Sequence, residues 1–156
     1  MFFRVFLRLT LVLVILGYGA LVIYAYLPLE ETPINELATE EDFFIKVSGH
    51  DIRYRQYLTQ EDHSPNLILI HGFGNNLHSW RSITPLLSEN YNIFALDLLG
   101  FGLSEKPTDY DYSNANQAKT IGKFADALNL DSFIVGGHSL GGAIGLHVAM
   151  NNEKTK

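Results

Sequence analysis

Cysteine is missing from all 156 residues. No disulfide, thiolate nucleophile or Cys-ligated zinc site can form, and the redox state of the compartment leaves no trace. Proline is sparse, at five residues, and charged residues make up only 18% against 47% hydrophobic ones. That composition excludes disordered and collagen-like chains. An excess of positive charge is also lacking. The net charge is −6, which argues against a nucleic-acid partner, since that needs a basic face. Finally, residues 1–27 contain no acid at all, and Arg4 and Arg8 are their only charges. All 17 acidic residues and the other nine basic ones follow. The chain therefore has two parts with different tasks, within a length that fits one domain or less.

What the first part does have is an uninterrupted apolar run. Leu9 to Leu27 is uncharged, and Tyr18, Tyr24 and Tyr26 fall in its distal half. As a helix it spans roughly 28 Å, close to the ~30 Å of a bilayer core. Arg4 and Arg8 precede it and Glu30, Glu31 and Glu36 follow. The positive-inside rule then puts the N-terminus in the cytoplasm and the rest of this single-pass chain on the far side. The alternatives are a cleaved signal peptide and a buried soluble helix. A signal peptide usually has an apolar stretch of ~7–15 residues ending in a small-x-small site. This run is longer, and no such site follows. The expected organisation is an anchor over 1–27, an acidic solvated linker over 28–42, and a domain over 43–156.

In the domain, Phe43–Val47 and the alternation of Ile52, Tyr54 and Gln56 with Arg53, Arg55 and Tyr57 predict a hairpin turning at Gly49-His50. Asp62 to Asn66 reads as a loop. Leu67–Ile70, Tyr91–Leu96 and Ser132–Val135 read as buried strands. Helices are expected over His78–Ser88, kinked or cut by Pro85, over Asn114–Leu128 with Ser113 as its cap, and from Leu140 toward Asn151. Strands alternating with helices give an α/β class with a mainly parallel sheet.

Each of those strands runs into a loop containing glycine. Gly137-His138-Ser139-Leu140-Gly141 fits G-x-S-x-G and lies directly between a strand and a helix. The serine of such a turn is strained and exposed, and small residues two before and two after it let strand and helix approach. The helix N-terminus beneath it favours negative charge.

Three segments together carry a resemblance: His71-Gly72-Phe73-Gly74, Asp97 to Ser104 (DLLGFGLS), and Gly137 to Gly142. In this order, over residues 43–150, the chain resembles the N-terminal part of an alpha/beta-hydrolase. The resemblance implies a serine hydrolase, with an acyl ester as the small-molecule substrate. Ser139 would be the nucleophile, and the backbone N–H groups of Leu140 and Phe73 the oxyanion donors. Gly72, Gly74, Gly137 and Gly141 would permit the close backbone approaches. His71 would hold its loop, Asp97 would order its own, and His138 would point away from the substrate. The spacing also resembles the group containing carbon–carbon bond hydrolases, haloperoxidase-like proteins, epoxide hydrolases and haloalkane dehalogenases. The last two normally carry aspartate at the nucleophile, so Ser139 counts against them. No cofactor is implied. Among the other histidines, His147 reads as a packing residue and His50, His63 and His78 as solvated. None has metal-ligand spacing with a carboxylate.

The sequence departs from the family in one respect. The fold's order is Ser, then Asp or Glu, then His, yet after Ser139 only His147 and Glu153 occur, reversed. The catalytic acid and base are therefore absent from this chain. The strand before Ser139 would also be an exposed apolar edge. The expectation is a truncated copy of a longer, membrane-anchored hydrolase, inactive by itself, whose anchor suggests a lipid-like ester. The alternatives are a catalytically silent binding or scaffold protein at the membrane, and a cofactor-free haloperoxidase-like or carbon–carbon bond hydrolase.

Overall fold

The computed structural model describes residues 2–27, 32–61 and 63–156. The expected start of the linker, residues 28–31, and Asp62 of the expected loop lie outside them. The chain divides into two units, Met1–Pro33 and Ile34–Lys156.

In the first unit, helix α1 runs from Phe2 to Ala25 and takes in Arg4 and Arg8 as well as the apolar run. Among the described residues it is the one helix long and apolar enough to cross a membrane. None of its residues is buried. Its hydroxyl at Thr10 donates to the Phe6 carbonyl one turn back, at 3.0 Å, and needs no outside partner.

The second unit is built on a five-stranded sheet of order β1-β2-β4-β3-β5. Strands β1 (Phe43–Val47) and β2 (His50–Tyr57) form the antiparallel hairpin. Its turn is Ser48-Gly49, one residue earlier than expected; both have positive φ, 53° and 93°. That is the sign a two-residue hairpin turn needs to follow the strands' twist. Strand β2 lies antiparallel to β4 (Asn92–Leu96). Strand β3 (Asn66–Ile70) is parallel to β4 on one side and to β5 (Ile134–Gly137) on the other.

Alternation along β3 and β4 feeds two cores. Ile68, Ile70, Phe94 and Leu96 face α4 (Asn114–Ala127) and α5 (Leu140–Asn151), meeting Ile121, Phe124, Ile144 and Val148. Leu67, Leu69, Ile93 and Ala95 gather on the other side with Leu77, Trp80 and Leu87. Ser113 caps α4 by accepting the Asn116 N–H. Pro85 does cut the expected helix in two. A 3-10 turn covers Leu77–Trp80, and α3 (Thr84–Leu87) begins with the proline in its first turn, where a missing N–H costs nothing.

Two further expectations need correction. The strand before Ser139 runs over Ile134–Gly137, two residues later at each end than the expected Ser132–Val135. Its outer edge is met at one point, where Phe133 N–H donates to the Lys154 carbonyl and the Phe133 carbonyl accepts from Lys156 N–H, each at 3.0 Å. The second correction concerns the linker. Residues 34–42 pack with the domain: Ile34–Leu37 form a short helix, α2, and the Asp42 side chain is wholly buried. Its physical reason is ionic, since Asp42 bonds both Arg53 and Arg55. For the same reason these arginines are 3% and 9% exposed.

Candidate active site

Parallel strands deliver their following loops to one edge of a sheet. Here β3, β4 and β5 deliver His71–Asn76, Asp97–Ser104 and the turn at Ser139 to the same edge. Ser139 sits at the junction of β5 and α5 with φ 54° and ψ −116°. A non-glycine residue held in that region is strained. Its side chain is exposed and caps no helix N–H. The turn closes because its flanks lack side chains. A Cβ on Gly137 would strike the Gly141 carbonyl, and one on Gly141 would strike the carbonyls of Ile70 and His71.

The turn and the first loop are adjacent. A Cβ on Gly72 would stand 3.4 Å from the Ser139 Cβ and 3.0 Å from His138 Nδ1. Beyond it Phe73 is 81% exposed. Gly74 follows with φ 66°, which turns the loop back toward Asn75. Among the described residues, neither the Phe73 nor the Leu140 N–H has a hydrogen-bond partner. Leu140 is the first residue of α5, so the helix dipole adds to the positive field at Ser139.

The loop is pinned from beneath. His71 is fully buried, and Nδ1 donates to the Gly72 carbonyl at 2.7 Å while Nε2 accepts the Leu98 N–H at 3.1 Å. That pattern selects the neutral Nδ1-protonated ring, and burial pushes its pKa below the ordinary value. Asp97, equally buried, accepts from Leu77 N–H (2.7 Å), Leu103 N–H (2.8 Å) and Arg53 Nη1 (3.2 Å). A Cβ on Gly102, whose φ is 50°, would collide with its carboxylate. Phe101 stands edge-on to both His71 and Phe73, with ring centres 5.4 and 5.7 Å away.

The remaining histidines separate from this cluster. His138 is exposed beside the serine and its N–H donates to Ile70. His147 is exposed on α5, and His63 lies on the surface. Two expectations fail here. His147, expected as a packing residue, is exposed, and His50 Nδ1 is bonded to Glu105 at 2.9 Å rather than solvated. His78 is exposed as expected, with Nε2 3.2 Å from Arg53 Nη2. The described residues form no His–carboxylate pair at Ser139. No group of three or more metal-ligating side chains occurs among them either.

Sequence reasoning missed Asp42, Arg53 and Arg55. The one available signal was two arginines spaced i, i+2 on a strand, which places two cations on a single face.

Residues 65–155 match the alpha/beta hydrolase fold family. The chain belongs to that family. It is 36% identical over 108 residues to the uncharacterized hydrolase YugF of Bacillus subtilis, covering 69% of this chain and 39% of that protein. A 2-hydroxy-6-oxo-6-(2'-aminophenyl)hexa-2,4-dienoic acid hydrolase of Metapseudomonas resinovorans is 34% identical over 111 residues, covering 69% and 37% respectively. Among solved structures, a bacterial membrane phospholipase A superposes with TM-score 0.69 at 29% identity, covering 97% of this chain and 49% of that one. The chain thus spans less than half the length of each of these proteins.

Proposed function

We propose that this chain carries the nucleophile and oxyanion hole of a membrane-anchored serine hydrolase that cleaves carboxylic esters, with lipid-like esters as its substrate class. The observation carrying this reading is the exposed Ser139 at positive φ, beside two unpaired backbone N–H groups. In the reaction, Ser139 Oγ attacks the ester carbonyl carbon and loses its proton to a base. The carbonyl oxygen becomes an oxyanion held by the Phe73 and Leu140 N–H groups. Collapse expels the alcohol, which takes a proton, and water then releases the acid from the acyl-serine. One such donor is worth about 2.7–4 kcal/mol in the transition state. The base and its carboxylate partner lie outside residues 1–156 in this reading, so the chain alone is inactive.

Two features favour lipid-like esters. Helix α1 has the length and exposure of a membrane span. The likeness to a membrane phospholipase A extends over 97% of the chain, which takes in most of α1. A second reading, cleavage of a carbon–carbon bond, is favoured by the 34% identical relative that acts on a dienoic acid. The two are separated by assaying the native membrane protein that contains this chain. Release of fatty acid from phospholipid or monoester, lost in Ser139→Ala, supports the ester reading. Turnover of a vinylogous diketone acid without ester cleavage replaces it with the second, and activity surviving Ser139→Ala refutes both.

A further inference from the structure

We infer that Asp42 is a positioning residue for the loop that carries Phe73, acting on it through Arg53 and Asp97. Its catalytic consequence rests on the proposed role of the Phe73 N–H; the structural coupling does not.

Asp42 lies between α1 and β1, in residues that on sequence alone belong to a linker. Its side chain is completely buried and accepts from Thr39 N–H at 2.9 Å, Arg55 Nε at 2.7 Å and Arg53 Nη2 at 2.9 Å. Arg55 is secured further by Glu41 and Thr39. Arg53 is itself buried. Its Nη1 donates to Asp97 at 3.2 Å, and its Nη2 reaches His78 Nε2 at 3.2 Å. Asp97 in turn holds the Leu77 N–H at 2.7 Å. Arg53 therefore meets the 3-10 turn that ends the Phe73 loop in two places, at Leu77 through Asp97 and at His78 directly.

Charge explains why Asp42 matters to that grip. Two guanidinium groups share this one carboxylate, and a buried cation that loses its partner is driven toward water. Without Asp42, Arg53 keeps only Asp97 and Arg55 keeps only the exposed Glu41 as a carboxylate partner, and the two cations face each other with no carboxylate between them. Arg53 relieves this by moving out along its stem, which frees the Asp97 carboxylate to rotate and loosens Leu77. A small displacement of a catalytic donor is enough to slow the chemistry, because orientation contributes much of the rate. The segment next to the apolar helix and the Phe73 loop thus belong to one buried charge network.

Proximity alone does not establish coupling, so the test reads it directly. Amide hydrogen exchange is measured on the full chain with Asp42→Asn, and with Glu41→Gln as a control at an exposed partner. The expected result is exchange at Leu77 and Leu103 faster by about tenfold in Asp42→Asn, with Ile121 to Ala125 of α4 and the control unchanged. Faster exchange confined to residues 39–57 would overturn the inference. If Asp42→Asn does not fold, Arg53→Lys replaces it, since a point charge cannot bridge Asp42 and Asp97. Faster exchange at Leu77 is again expected, and unchanged exchange again overturns. In the native protein, Asp42→Asn is expected to lower kcat about tenfold with KM within about twofold; a change in KM alone would count against positioning. Absence of ester hydrolysis in the unmutated protein would refute the proposed function and leave the exchange result to decide the coupling.

Discussion

The two halves of the candidate site are held in opposite ways. The loops after β3 and β4 are fastened by side chains: His71 to Leu98, and Asp97 to Leu77, Leu103 and Arg53. The turn after β5 is fastened by their absence, with Gly137 and Gly141 leaving no room for a Cβ between backbones. Side-chain fastening depends on ionisation and can be loosened one bond at a time. Steric fastening has no titrating group, and it fails only when atoms are added. The Phe73 loop is thus the half whose geometry responds to pH and charge, while the Ser139 turn is fixed by shape.

The largest effect should come from the fastened loops. Asp97→Ala leaves two backbone N–H groups unpaired and removes one of the two carboxylates held by the buried Arg53, which is expected to cost about 3–5 kcal/mol. Denaturant unfolding of the chain would show it as a lower midpoint with unchanged slope. Next comes the turn. Gly141→Ala pushes a methyl group into the carbonyls of Ile70 and His71, with an expected cost of about 1–3 kcal/mol or more. Gly142→Ala is the control, because its Cβ would lie 3.4 Å from the nearest atom. That variant should be neutral or stabilising by up to about 1 kcal/mol, as alanine favours a helix. If both substitutions behave alike, the steric account of the turn is wrong.

Acid should separate the halves further. The folded pKa of His71 lies below its ordinary value of 6.5 because burial disfavours the cation. The unfolded chain therefore takes up the proton first. Stability is full above 6.5 and falls as the pH drops below it toward the folded value. Unfolding midpoints at successive pH values should show this slope, reduced in His71→Gln, with the remainder due to His78, whose pKa burial and two arginines also lower. Asp42 adds a second window. Its folded pKa is held well below 3.8 by its bonds to Arg55, Thr39 and Arg53, against the opposing cost of burial, so its contribution is lost only below 3.8. The smallest effect lies outside both halves. Ser113→Ala removes a helix cap and should cost about 1 kcal/mol, without altering exchange at Leu77.

The same contrast explains what could be read in advance. The strands were legible as apolar runs, and the Ser139 turn as glycines at fixed spacing, because steric requirements are written locally. Pro85 likewise announced the break between the 3-10 turn and α3. Asp42, Arg53 and Asp97 are brought together by the fold over 55 positions of sequence, and no local pattern records an ion pair of that range. The alternation of Arg53 and Arg55 with Ile52 and Tyr54 was legible, but not that residues 39–42 cover the two arginines. His50 was misjudged for the same reason, its partner Glu105 being remote in sequence.

The central claim is that Ser139 is a nucleophile in a preformed turn. A fluorophosphonate probe applied to the native membrane protein, followed by mass mapping of the adduct, tests it most directly. The account predicts a covalent adduct on Ser139, absent from Ser139→Ala and weakened in Asp42→Asn. A folded protein that takes up no probe, or takes it up on a different serine, would contradict it.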